Sequence, residues 1–127
     1  MIMNDSRGRG GIDYSIIEDY RAMASDAFVD SLIDDFVLES DSTMTAIKAA
    51  IEQNSGEALA AVAHRFKGAS ATIGARMLSA LCGEMETLAR QGAVETAGQL
   101  LGTLASEYRG VRQDLRRLSH ERDDALN

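Results

Sequence analysis

Residues 94–118 read VETAGQLLGTLASEYRGVRQDLRRL, and this stretch decides the fold. Val94, Ala97, Leu101, Leu104, Tyr108, Val111, Leu115 and Leu118 follow one another in alternating steps of three and four, the spacing of a helix seam packed into a bundle. Gly98, Gly102 and Gly110 lie inside it, each costing about 1 kcal/mol relative to Ala in a helix. Tight packing against partner helices has to outweigh them.

Those partners lie upstream. Leu78, Leu81, Met85 and Leu88 form a second apolar stripe closed by Gly92 as a C-cap, and Leu59, Val62, Phe66, Ala69 and Ile73 form a third that ends near Gly74. Asn54-Ser55-Gly56-Glu57 reads as a turn and helix start, with Asn54 accepting from a free amide and Glu57 reaching back. From Asp26 to Gln53 apolar residues recur at helical spacing, chiefly Phe28, Leu32, Phe36, Ile47 and Ile51 with Val29, Ile33, Val37 and Met44 in support. This is one helix, or two with a break near Ser40-Asp41-Ser42. Its acids Asp30, Asp34, Asp35 and Glu39 read as surface charge, because no ligand loop accompanies them. Ser15-Ile16-Ile17-Glu18 has capping-box spacing and predicts a short helix from Ile16 to Ala24. The expected architecture is all-α: an antiparallel up-down four-helix bundle with a short extra N-terminal helix over residues 13–120. A flexible segment, 1–12, precedes it and a flexible tail, 121–127, follows.

Composition agrees. The 127 residues include no proline, 45% are hydrophobic and 26% charged, which suits one globular domain. The net charge of −7 argues against nucleic acid, whose binding requires phosphate neutralisation by Lys and Arg. Arg109, Arg112, Arg116, Arg117 and Arg122 cluster, but Glu107, Asp114, Glu121 and Asp123 are interleaved with them, as on a solvated helix face. The single cysteine, Cys82, excludes an internal disulfide and reads as a small buried hydrophobe; no Cys/His cluster has zinc spacing. The N-terminus, with Arg7 and Arg9 among glycines, lacks a signal-peptide core. A cytoplasmic monomer without membrane attachment is expected.

One histidine stands out. On a wheel of 100° per residue His64 falls about 180° from the stripe of its own helix, so it faces outward. Around it lie Ala60, Ala61, Gly68 and Ala71, a bare surface where a solvated face would carry long polar side chains. Gly68, at i+4, is costly in a helix and leaves the approach to the imidazole clear. Much of an ordinary imidazole is neutral near neutral pH and able to attack phosphorus. Lys67, at i+3, can neutralise the phosphoryl oxygens. Ser70 is expected either to bond back along its helix or to orient Lys67, and Arg65 and Arg76 are candidate rim contacts for an acidic partner. His120 has no constellation around it.

The pattern His64-x-x-Lys67-Gly68-x-Ser70-x-x-x-Gly74-Ala75, followed by Leu78, Cys82 and Met85-Glu86, resembles the histidine-containing phosphotransfer (HPt) domain of two-component phosphorelays, over roughly residues 26–118. Phe66 stands where that family more often has leucine. The resemblance implies that His64 accepts a phosphoryl group from a receiver-domain aspartate, in a hybrid histidine kinase or a response regulator, and passes it to another receiver. It also implies no intrinsic kinase activity and no cofactor bound by the chain itself, with Mg²⁺ on the receiver. Lys67 and Gly68 match positions supporting the phosphohistidine, and Ser70 and Gly74 fall within the motif. A module that occupies a receiver or kinase as an inhibitor or phosphate sink would present the same surface. A purely structural bundle would need neither Lys67 nor Gly68 at its spacing.

Overall fold

The computed structural model describes residues 11–126, with side chains through residue 119. Six helices form among the described residues and no strand does: α1 (Tyr14–Met23), α2 (Asp26–Glu52), α3 (Gly56–Thr72), α4 (Arg76–Arg90), α5 (Val94–Gly98) and α6 (Leu101–Leu126). The all-α expectation holds. α2 is continuous through Ser40-Asp41-Ser42; at 27 residues it spans about 40 Å.

Caps differ from the sequence reading by a residue or two. α1 begins at Tyr14 because Asp13, rather than Ser15, is its N-cap, accepting from the Ser15 amide. Ser55, rather than Asn54, caps α3 by accepting from the Ala58 amide. Asn54 instead takes a left-handed conformation with φ 55°, which asparagine tolerates better than most residues.

α3 and α4 pack together along their length, α2 lies on α3, and α6 closes against both α2 and α4. The core between them holds Ile33, Ile47, Leu59, Phe66, Leu78, Met85, Leu104 and Leu115, all nearly or fully buried. Phe66 lies between Phe36 and Tyr108, with ring centroids 6.3 and 6.0 Å away, at the upper end of favourable aromatic spacing. The Tyr108 hydroxyl donates to Asp41 Oδ1 at 2.6 Å, tying α6 to α2.

Two expectations about how the helices pack are corrected here. The seam from Val94 is not one helix, because the chain turns at Gln99 and Leu100 between α5 and α6. Gly98 there lies so near α2 that a Cβ would stand 3.1 Å from Ile51 Cγ2. Phe28, read as a seam residue of α2, is exposed and packs edge-on against Tyr20 of α1, the buried line running instead through Val29, Ile33, Phe36, Val37 and Ser40. The segment expected to be flexible, 1–12, lies outside the described residues as far as residue 10, but Gly11 and Ile12 are buried and Ile12 joins the core. At the other end α6 continues to Leu126, through the expected tail.

α1 clasps the α3–α4 turn. The Asp13 amide donates to Gly74 O at 2.8 Å, the Arg76 guanidinium donates twice to Asp13 Oδ2, and the Tyr20 hydroxyl donates to Thr72 O at 3.0 Å. Gly74 turns with φ +85°, and a Cβ there would lie 3.0 Å from Asp13 O, so both backbone conformation and space demand glycine. The hydrogen bond from the Ser15 hydroxyl, and after it those from Arg76, hold Asp13 at a pKa of about 2, below the ordinary 3.8.

Candidate functional site

α3 carries Leu59, Val62, Phe66 and Ile73 inward, leaves Ala69 of the expected stripe exposed, and presents His64 on its outer crest, the imidazole 61% exposed. One flank of the crest meets α4. There the Glu86 carboxylate, only 9% exposed, holds three cationic or proton-bearing groups. Oε2 lies 3.0 Å from His64 Nδ1 and accepts from Arg90 Nη2 at 2.7 Å and Nε at 3.1 Å, while Oε1 pairs with Lys67 Nζ at 3.1 Å. Bonds from Arg90 first and Lys67 second outweigh burial and lower the Glu86 pKa from 4.5 to about 2. The group is therefore an ionised acceptor across the physiological range.

That fixes the histidine. A carboxylate only accepts, so Nδ1 has to carry the proton it shares with Glu86. The neutral imidazole then keeps its lone pair on Nε2, the nitrogen turned away from the bundle. This tautomer leaves His64 an oriented ring with a lone pair on Nε2, rather than a freely turning surface imidazole.

Lys67 is half-buried against the same flank. A Cβ at Gly83 of α4 would come within 3.3 Å of Lys67 Cδ, so the glycine leaves room for the lysine stem to lie across α4. Ser79 Oγ donates to Lys67 O at 3.0 Å, joining the two helices just below. At Gly68 an added Cβ would meet nothing within 4 Å; the space it leaves opens to solvent beside His64.

The other residues singled out in the sequence divide. Ala61, Arg65 and Ala71 are exposed on the crest with His64. Ala60 is buried, because it lies on the flank facing α4, as Lys67 does, and so is unavailable to a partner. Ser70 is fully buried with no partner for its hydroxyl; the contact that orients Lys67 comes from Glu86. Arg76 is engaged by Asp13 and Gly74 shapes the clasp beneath it, so both belong to the turn that follows α3. Cys82 is buried as read, its thiol pushed up to about 12 by burial. His120 lies outside the residues whose side chains are described.

The sequence reading assigned no role to Glu86 or Arg90. The available signal was an acid directly after Met85 on the edge of the α4 seam, with an arginine at i+4, a pairing that more often marks a solvated face.

The sequence model of the Hpt domain matches residues 31–121. The crystal structure of histidine-containing phosphotransfer protein B (HptB) from Pseudomonas aeruginosa PAO1 is similar, with a TM-score of 0.82 at 28% identity, covering 87% of this chain and 95% of that one. No curated protein matches the chain.

Proposed function

From the premise that the chain belongs to the Hpt domain family, whose members carry phosphoryl groups between receiver domains, we propose that His64 is its phosphoryl acceptor and donor. The observation that carries this reading is the Glu86–His64 contact at 3.0 Å, which leaves Nε2 as the free nucleophile at the outermost point of α3. In the step, the Nε2 lone pair attacks the phosphorus of a receiver aspartyl phosphate. The P–Nε2 bond forms, the bond from phosphorus to the aspartyl oxygen breaks, and the aspartate leaves as a carboxylate. Nδ1 keeps its proton, so the ring becomes cationic, and ionised Glu86 stabilises that charge as a positioning residue. Lys67 Nζ, one turn along, is placed to exchange its bond to Oε1 for one to a phosphoryl oxygen. Transfer onward to a second receiver is the same step reversed.

Gly68, with Ala61 and Ala71, clears the approach, and Arg65 forms the rim on the side away from α4. Mg²⁺ is assigned to the receiver, and the chain is assigned no kinase activity of its own. The ring of contacts α2–α3–α4–α6 is read as an antiparallel up-down four-helix bundle, with α1 as the extra N-terminal helix and residues 13–120 as the domain. No described helix is long and apolar enough to cross a membrane, and a cytoplasmic monomer suits exchange with receivers. Supplying phosphorylated receiver should give an acid-labile, alkali-stable label on the chain; label retained in a His64→Gln protein would refute the assignment.

A further inference from the structure

Between α2 and α6 an open groove of about 250 Å³ lies over a floor of Ile33 and Val37, both buried. Leu38 stands at its edge with 74% of its surface exposed, among the most exposed large apolar residues described. The two lips carry opposite charge, Asp34 on the α2 side and Arg116 on the α6 side. Both are exposed, and neither has an ion pair or hydrogen bond among the described residues. Asp41, farther along α2, is by contrast engaged within the chain: it accepts from the Tyr108 hydroxyl at 2.6 Å and pairs with Arg112 at 3.6 Å. Those contacts give the register. As α6 runs from Tyr108 to Arg116, its neighbours on α2 run back from Asp41 to Asp34. The two helices are therefore antiparallel, and Asp34 and Arg116 stand at about the same level across the groove.

We propose that this face pairs with its own image in a second copy of the chain, about a two-fold axis running along the groove. An axis in that direction lays each α2 over the other copy's α6 without changing its level. Asp34 of each copy then meets Arg116 of the other. One unpaired acid and one unpaired base per chain become two intermolecular ion pairs, and each Leu38 closes on the Ile33–Val37 floor opposite. The other two-fold, running across the helices, would stack α2 on α2 and set like charges together, so the charge pattern selects one orientation. Such self-complementarity is what an isologous interface needs, whereas a partner of single sign would meet repulsion at one lip. Two helices, each about 10 Å across and facing the copy over about 30 Å, bury about 600 Å² per chain, the low end for a specific interface. The net charge of −7 on each copy adds long-range repulsion. The pair is accordingly weak and reversible, with a Kd on the order of 10 µM, and the monomer prevails below that concentration. His64, on the crest of α3, lies outside the paired face, so the pair carries two accessible histidines.

The test is sedimentation velocity of the full chain from about 1 µM to about 1 mM, over which the parent should pass from monomer to dimer. By two-fold symmetry each charge reversal counts twice. Asp34→Arg puts two like-charged pairs into the interface, as does Arg116→Glu, and each should raise Kd by at least about tenfold. An equimolar mixture of the two variants should form a heterodimer with a Kd within about threefold of the parent's, because each copy then offers the sign that the other lacks. Leu38→Ala should raise Kd about fivefold. All three positions are exposed, so circular dichroism melts of the dilute variants should match the parent. A parent that stays monomeric to about 1 mM overturns the inference, and impaired phosphotransfer in the Asp34→Arg protein would then assign the face to a receiver. A dimer whose Kd none of the changes moves overturns it too. Pairing lost in both single variants and not recovered in their mixture overturns the two-fold arrangement and the inference with it.

Discussion

Replacing Glu86 by glutamine separates orientation of the histidine from its mere presence. The substitution keeps shape and removes the charge that His64, Lys67 and Arg90 share. For stability, Lys67 and Arg90 are 41% and 61% exposed, so each pair resembles a surface ion pair; with the carboxylate itself largely buried, the loss comes to about 1–2 kcal/mol. At about 0.27 kcal/mol per kelvin of unfolding entropy for a domain of this size, the melting temperature should fall about 4–7 °C. For transfer, the amide can donate to Nδ1 as readily as accept from it, so the proton is no longer held there and Nε2 loses its lone pair for part of the time. Losing the partner that holds a reactive imidazole's proton in place costs about tenfold to a hundredfold in rate, and the loss should fall on kcat. The assay is rapid-quench transfer from a phosphorylated receiver, alongside ¹⁵N imidazole spectra that report the tautomer directly. A Glu86→Gln protein that transfers within about twofold of the parent with its His64 proton still on Nδ1 would refute the orienting role, whatever happens to stability.

The remaining expectations follow from single contacts. Gly68→Ala should raise helix stability by about 1 kcal/mol, since nothing crowds the added Cβ, yet slow transfer by standing beside Nε2; thermal melts and transfer rates should move in opposite directions. Gly74→Ala should do the reverse and cost about 1–2 kcal/mol from its left-handed φ alone, more with Asp13 O at 3.0 Å, which thermal melts will show. Arg76→Ala should leave transfer near parental and loosen the clasp, seen as faster amide exchange at the start of α1. Glu86 and Asp13 both have folded pKa values of about 2, below their ordinary 4.5 and 3.8. Their stabilisation is therefore complete above about pH 4.5 and lost as pH falls toward 2; a Glu86→Gln protein should show a shallower acid-unfolding slope in that window.

What the sequence made legible was periodic or local. Alternating threes and fours from Leu101 to Leu118 announce a packed helix, and a wheel places His64 opposite Leu59, Val62 and Phe66. Each of these needs only the helical repeat. The errors fall where the deciding partner is distant in sequence. Phe28 has the spacing of a core residue, but Tyr20 on another helix takes its ring outward. Gly98 looks like one more tolerated glycine until Ile51 presses on it. Arg76 looks free until Asp13, 63 residues away, claims it. Glu86 is the sharpest case, because an acid beside Met85 reads as solvated unless one knows that α4 returns antiparallel along α3 and brings it to a histidine 22 positions earlier.

That shared carboxylate bears on why the site suits a carrier. A phosphoryl carrier has to receive and release at similar free energy, so strong stabilisation of the phosphorylated form would stall it. Here Lys67 is not an idle cation waiting for phosphate; it is already paired with Glu86 Oε1 at 3.1 Å. Moving to a phosphoryl oxygen exchanges one charge-assisted bond for another of similar strength, and the net gain is the small difference between them. Arg90, bonded to Oε2 through two nitrogens, stays behind and keeps Glu86 ionised while Lys67 swings away, so Nδ1 retains its acceptor throughout. On the proposed reading of His64 as phosphoryl acceptor, two cations on one carboxylate divide the work: Arg90 keeps the carboxylate that orients the histidine in place, Lys67 follows the phosphoryl group, and the exchange keeps His64 poised between loading and unloading.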